Sequence, residues 1–217
     1  MKKACIFDLD GTLLNTLPTI AALMNRALTA HGFAPYPEEA YRRFIGNGAR
    51  SLVKRALNAQ GALSPDAAEQ VFAFFSPIYE NEGYEGTAPY EGIVGLLRAL
   101  CRQGVKVCVL SNKPDAATRN VVSHFFPDVP FAAVHGGRED VPLKPAPDGV
   151  WQILEEIGAE KEDCLFVGDS NVDMETARAS GLFGIGVEWG FRTREELVES
   201  GADATVSVPE QILSYFI

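Results

Sequence analysis

The chain has 217 residues, 47% of them hydrophobic, and a formal net charge of −10. That length suits one large domain, or one domain carrying an insert. The acidic balance argues against a nucleic-acid surface, which needs a basic stripe, and no apolar run approaches the ~20 residues of a membrane span; a local cationic pocket for a small anion remains compatible with it.

"ACIFDLDGTLLNT", residues 4–16, reads as a buried strand that runs out into Asp8, Asp10 and a Gly-Thr turn. Side chains two apart on a strand share a face, so both carboxylates project from one side of its end. Two such charges repel by roughly 4 kcal/mol at 4 Å and an effective dielectric of 20. A cation, a shared proton or a charged partner is therefore expected elsewhere in the chain. Lys2 and Lys3 precede the strand, but no apolar signal segment follows them, which points to a cytoplasmic location.

The pattern then turns helical. "PTIAALMNRALTAHG", "PEEAYRRFIG", "ARSLVKRALNAQG" and "SPDAAEQVFAFFSPIYENEG" are four helical stretches between residues 17 and 84, without a convincing strand. Pro77 is expected to bend or break the last of them. An all-helical block inside an α/β chain reads as an inserted subdomain, taken as residues 16–85, with 1–15 and 86–217 forming the core.

Helix and strand alternate from there: helix "GIVGLLRALCRQG", strand "VKVCVLS", helix "PDAATRNVVSHFF", strand "FAAVHGG", helix "PDGVWQILEEIG" and strand "DCLFVGD". The remainder continues with helix "NVDMETARASG", strand "LFGIGVEWG", helix "TREELVESG", strand "ADATVSV" and helix "PEQILSYF". Such alternation predicts an α/β fold, a parallel Rossmann-like sheet with helices on both faces. Cys5, Cys101, Cys108 and Cys164 are scattered and read as reduced thiols. His31, His124 and His135 are equally dispersed and read as structural.

Ligands of open parallel sheets bind outside the carboxyl ends of the strands. One strand is followed there by Ser111, Asn112 and Lys113, a hydroxyl, an amide and a charge; another by Asp169 and Asp173 of "GDSNVD"; and Lys144 lies in the loop "LKPAPD". Each alone is an ordinary cap or loop residue. In this order at strand ends, they suggest phosphoryl transfer through an aspartyl phosphate. Asp8 and Asp169 offer oxygens to a hard cation, for which magnesium fits best, and the cation with Lys144 offsets the charge opposing attack on a phosphate. Ser111 and amides around Gly11 and Asn112 suit phosphoryl oxygens. Asp10 is placed to handle the proton of the leaving oxygen and then of water. Asp173, one turn after Asp169, would orient Lys144 or a metal-bound water.

"DLDGT", "LSN", "LKP" and "GDSNVD", in this order, resemble the four motifs of the haloacid dehalogenase-like hydrolase superfamily. The resemblance implies a mobile helical cap inserted after the first motif, Asp8 as nucleophile, Asp10 as general acid/base, and Ser111 and Lys144 as phosphate binders. It also implies Mg2+ held by Asp8, Asp169 and the backbone carbonyl of Asp10. "FIGNGARSLVKRAL", "LSNKP" and "LFVGDSNVDMETARASG" look like the bacterial phosphoglycolate phosphatases. This implies a small phosphorylated metabolite as substrate, with 2-phosphoglycolate first. The cap stretch Gly46-Asn47-Gly48-Ala49-Arg50 is then expected to receive its carboxylate, through loop amides and the Arg50 guanidinium. Asn15 departs from the acid that many relatives carry after the "DGTL" turn, a change at the cap hinge.

Three other readings compete. A phosphomutase of the β-phosphoglucomutase type, or a promiscuous phosphatase of sugar phosphates, nucleotides or pyrophosphate, shares the motifs. A receiver module phosphorylated on aspartate would lack the inserted helices. A dinucleotide-binding domain would need a G-x-G-x-x-G where this chain has "DGT". The expected assembly is a monomer or homodimer.

Overall fold

A computed structural model of the chain describes residues 2–82 and 84–216; Met1, Gly83 and Ile217 lie outside them, and with Gly83 the residue read as closing the fourth helix. Strand β1 (Ala4–Phe7) opens the chain, and the short β2 (Leu14–Asn15) follows it. Helices α1 (Leu17–Ala30), α2 (Tyr41–Phe44), α3 (Ala49–Asn58) and α4 (Pro65–Asn81) come next, and β3 (Ala88–Pro89) then pairs antiparallel with β2. The rest alternates as α5 (Ile93–Arg102), β4 (Lys106–Pro114), α6 (Asp115–Phe125), β5 (Ala133–Gly137), α7 (Asp148–Ile157), β6 (Cys164–Gly168), α8 (Asn171–Ser180), β7 (Phe183–Val187), α9 (Arg194–Glu199) and β8 (Ala204–Val206).

Six strands form one sheet in the order β5-β4-β1-β6-β7-β8, every neighbouring pair parallel. Its strands are apolar on both sides because both sides are covered. Cys5 and Phe7 of β1 point into a cluster with α5 and α6, through Leu97, Leu100, Val121 and Val122. Ala4 and Ile6, one residue out of phase, point into a second cluster with Val150 and Ile153 of α7 and Ala177 of α8. Topology places the site: β1 lies between β4 and β6, so residues after these three strands meet although a hundred or more positions separate the first from the others.

The four helices between β2 and β3 bury their own cluster, with Leu23, Met24 and Leu28 of α1 against Leu57 of α3 and Val71 and Phe75 of α4. One core residue, Phe191, joins it. Pro77 does not break α4, which runs unbroken through it. Val71, Phe75 and Tyr79 are buried along one side of that helix, and the apolar stripe on both sides of the proline outweighs the missing N–H.

Two other differences from the sequence reading matter. The strand read as residues 105–111 extends to Pro114, and its pairing with β5 shifts register between Leu110 and Pro114. Such irregularities re-aim side chains, and this one spans Ser111, Asn112 and Lys113. The final segment, Pro209–Phe216, is a 3-10 helix, tighter than the α-helix and longer than such helices usually run, and it buries Ile212 and Phe216. The four cysteines are free thiols, and Cys101 alone among them is only half-buried. Among the described residues, no helix is long and apolar enough to cross a membrane.

Candidate active site

Asp8 takes its position from the sheet: its backbone N–H donates to the Val167 carbonyl at 2.9 Å, continuing the ladder past the end of β1. Two residues on, Asp10 enters a tight turn in which Gly11 has φ +90 and its N–H donates to the Leu14 carbonyl at 2.8 Å. A side chain at Gly11 is excluded twice over. The conformation suits glycine, and a Cβ there would lie 2.3 Å from Oδ2 of Asp169.

Asp169 follows β6 and is almost wholly buried. Its Oδ1 accepts from the Thr12 hydroxyl at 3.2 Å, and its Oδ2 from the Phe191 backbone N–H at 2.7 Å. The Phe191 turn comes close because Gly190 lacks a side chain: a Cβ there would lie 2.2 Å from Cβ of Asp169. Burial and then Asp173 push the Asp169 carboxyl up to about 7, against the opposing pull of the Phe191 N–H, Arg192 and Thr12. Burial also holds Asp8 well above the usual carboxylate range; Asp173 and Asp169 add to this, and Lys144 opposes it.

Lys144 is the cation that Asp8 required. Its Nζ lies 2.8 Å from Oδ1 of Asp8 and 2.7 Å from Oδ1 of Asp173. Burial works against this ammonium, but Asp173 and Asp8 more than compensate and raise its pKa. Asp173 is itself held: its Oδ2 accepts from the Ser170 N–H at 3.0 Å and the Ser170 hydroxyl at 2.6 Å. The first of those bonds is half of the capping box that starts α8. One side chain thus closes a helix and anchors a lysine.

Asn112 fixes the lysine's backbone. Its Oδ1 accepts from the Lys144 N–H at 2.9 Å, and its Nδ2 donates to the Lys144 carbonyl at 2.9 Å and the Gly46 carbonyl at 3.0 Å. The last bond ties the helical insert to the sheet. Ser111 is buried, and its hydroxyl accepts from the Lys113 N–H at 3.2 Å.

A cavity of about 40 Å3 lies where these groups meet, lined from the sheet by Asp8, Asp10, Ser111, Asn112, Lys113 and Lys144. The insert supplies Ile20, Ile45, Gly46, Gly48, Ala49, Leu52 and Tyr79. Asp8, Asp10, Ser111, Asn112, Lys144, Gly46 and Gly48, all singled out in the sequence, thus converge. Five others do not line it: Asp169 and Asp173 stand beside Asp8, and three stand elsewhere. Gly11 packs against Asp169. The Asn47 side chain accepts a hydrogen bond from Arg55. Arg50 is exposed, pairs with Glu69 at 2.7 Å and lies 3.9 Å over the Phe72 ring. The structure does not bring its guanidinium to the cavity.

The sequence pointed to Lys113 as the charge after its strand without giving it a role, and gave none to Thr12, Tyr79 or the Gly190-Phe191 turn. Thr12 stands next to Gly11, so its signal was available. Tyr79 and Gly190 carry no local signal; only the assembled fold brings them here. His135, read as structural, is buried with its Nε2 2.6 Å from Glu156.

The residues present fit a hard divalent cation. Asp8, Asp169 and Asp173 each place a carboxylate oxygen within 4.8 Å of the others, all three buried. Both oxygens of Asp173 already accept hydrogen bonds from Lys144 and Ser170, which leaves Asp8 and Asp169 as the pair suited to ligation. Buried oxygens with raised pKa values are what a cation of that kind relieves.

A family profile described as haloacid dehalogenase-like hydrolase matches residues 2–181. A phosphoglycolate phosphatase of Rhodospirillum rubrum is 35% identical over 207 residues, covering 93% of this chain and 86% of that protein. A phosphoglycolate phosphatase of Pseudomonas putida is 35% identical over 195 residues, 88% of this chain and 71% of that one. The crystal structure of a candidate phosphoglycolate phosphatase from Lactobacillus delbrueckii subsp. bulgaricus superposes with a TM-score of 0.94 at 32% identity, covering 100% of this chain and 99% of that one.

Proposed function

The chain belongs to the haloacid dehalogenase-like hydrolases, and from that premise we propose that it is a Mg2+-dependent phosphatase of a small phosphorylated metabolite, with 2-phosphoglycolate as the preferred ester. The observation that carries this reading is the convergence of Asp8, Asp10, Ser111 and Lys144 on one small cavity. The choice of ester rests on the similarity to phosphoglycolate phosphatases.

In this proposal Asp8 is the nucleophile. One of its oxygens bonds to phosphorus as the ester oxygen departs, giving an aspartyl phosphate and the free alcohol. Asp10 delivers the proton to the departing oxygen, then takes one from the water that attacks the phosphorus and releases inorganic phosphate. Lys144 and the Ser111 hydroxyl bear on the phosphoryl oxygens as charge develops there. Asp173 keeps Lys144 in place, and Asp8, Asp169 and the Asp10 carbonyl hold the cation. When bound, Mg2+ neutralises the charge that opposes approach of a carboxylate to a phosphate. The insert closes over the cavity and excludes bulk water. Its wall offers no histidine or lysine to shuttle a proton between sugar hydroxyls, which favours hydrolysis over mutase chemistry.

The test is phosphate release across a panel of metabolite esters with Mg2+, ranked by kcat/KM and repeated with a chelator. Mg2+-dependent turnover led by 2-phosphoglycolate is expected; turnover that persists at the parent rate in chelator overturns the cation's role.

A further inference from the structure

Lys113 is a buried lysine to which the reaction above gives no task. Its side chain is 2% exposed. It sits at the irregular end of β4, and its Nζ faces the cavity 3.8 Å above the Tyr79 ring of α4 and 3.8 Å from Oδ1 of Asp10. That second distance is an ion pair too long for a hydrogen bond, and Oδ1 of Asp10 is buried without a hydrogen-bond partner. An ammonium carries three donors. Asp10 meets them only at ion-pair distance. Buried cations are ordinarily paired and satisfied, as Lys144 is by two carboxylates in the same cavity.

Position says what would satisfy it. Asp10 marks the side of the cavity where the ester oxygen departs, so the carbon tail of the substrate lies beside Asp10. Beyond the tail, the insert presents Ile20, Ile45 and Leu52, which offer neither hydrogen bonds nor charge. The other candidate cation, Arg50, is paired with Glu69 on the outer surface. Building on the phosphatase reading, we propose that Lys113 is the specificity residue of this site: its ammonium receives an anionic group carried on the substrate's carbon tail, a carboxylate one carbon from the ester oxygen. The aromatic face of Tyr79 braces the ammonium from the other side. An ester of the same length without the charge would leave Lys113 with only its long ion pair to Asp10 and the Tyr79 face, and this cost falls on binding.

The inference is tested with 2-phosphoglycolate and ethyl phosphate, an ester of equal length lacking the carboxylate. The parent enzyme is expected to favour 2-phosphoglycolate, mainly through KM. In Lys113→Met and Lys113→Gln the ratio of the two kcat/KM values should fall at least about tenfold, as expected for one lost charge-assisted hydrogen bond. A parent that prefers the carboxylate ester, with variants that keep that preference, overturns the assignment and leaves the substrate reading intact. An equal loss on both esters also overturns it, since Lys113 would then act only by positioning Asp10. A parent indifferent to the carboxylate overturns the substrate reading and the inference together. A crystal structure of the parent with Mg2+ and 3-phosphonopropionate decides the matter even if the variants fail to fold. The ligand's carboxylate within about 3.2 Å of the Lys113 Nζ supports the assignment; the carboxylate on Arg50 or on the loop amides of Gly46 and Gly48 overturns it.

Discussion

The sheet side and the helical side of the cavity differ in how they hold their residues. On the sheet side the groups around Lys144 are tied to one another: Lys144 by Asp8 and Asp173, Asp173 by Ser170, Asp169 by Thr12 and Phe191, Asn112 by both backbone groups of Lys144, with Asp10 and Lys113 held more loosely. On the helical side the wall is mostly apolar, and its ties to this cluster are few: the Gly46 carbonyl on Asn112 and the Tyr79 ring against Lys113. Further out, Arg192 reaches the carbonyls of Arg42 and Ile45, and Arg42 reaches that of Gly190 at 2.7 Å. A network that must hold charges in fixed positions needs redundancy, since one missing partner leaves a buried charge. A wall that must exclude water and release product needs shape and weak ties. In the proposed function the chemistry belongs to the first region and the exclusion of water to the second, with Lys113 on the sheet side selecting the substrate.

The widest gap between the two regions is expected at Asp8. Asp8→Asn should lower kcat for phosphate release by at least about 10^4-fold without lowering the melting temperature, because it removes one charge from a crowded acidic cluster. Turnover near the parent rate would remove the covalent step and with it the division of labour. Asp10→Ala should cost about 10^2- to 10^4-fold in kcat, read by the same assay, and most for esters whose alcohols are poor leaving groups.

On the helical side the comparison can be broken from within. Leu57 is fully buried in the insert's own cluster, and Leu57→Ala should cost about 2–5 kcal/mol. If the two regions open separately, amide exchange will quicken in α1–α4 while β1 and β4 keep their protection. Uniform loss of protection would show one cooperative unit.

Proton linkage gives a smaller effect with a definite sign. Asp8 and Asp169 have folded-state pKa values raised above the unfolded carboxylate value. Between the two values the folded protein without a cation binds more protons than the unfolded chain, so these groups weaken folding as pH rises through that window. A cation must displace the same protons. The rise in melting temperature given by Mg2+ should therefore be small near pH 5 and grow as pH rises through about 7, where Asp169 gives up its proton, as thermal unfolding with and without chelator will read. The smallest effect is expected at Arg50: removing an exposed pair with Glu69 should leave KM for 2-phosphoglycolate within about twofold. A larger rise would bring Arg50 back toward the substrate.

The contrast between regions also governs what the sequence disclosed. Core strands were legible because β1 and β6 are buried on every residue and read as continuous apolar runs. The charged motifs at their ends were legible by their order along the chain. The helical insert was legible as a block by its periodicity. The aim of single side chains within it was not, because that depends on helix packing: Arg50 and Leu52 stand two residues apart on α3, one outside on Phe72 and the other in the cavity wall. Pro77 misled because local propensity argued for a break that the buried face of α4 overrides. The turn at Gly190 escaped because its role is to lack a side chain beside Asp169, and only the folded chain puts them together.

The insert leaves and rejoins the sheet domain through β2 and β3, where Asn15 and Ala88 face each other across an antiparallel pair. Its two ends are therefore already adjacent, as at the base of a hairpin. Replacing everything between them, by a tight turn or by another helical module, would impose on the six-stranded sheet no loop to close beyond the one it already closes. Natural variation and deliberate grafting can thus exchange the covering half of the enzyme at this junction while the charges around Asp8 stay where β1, β4 and β6 put them.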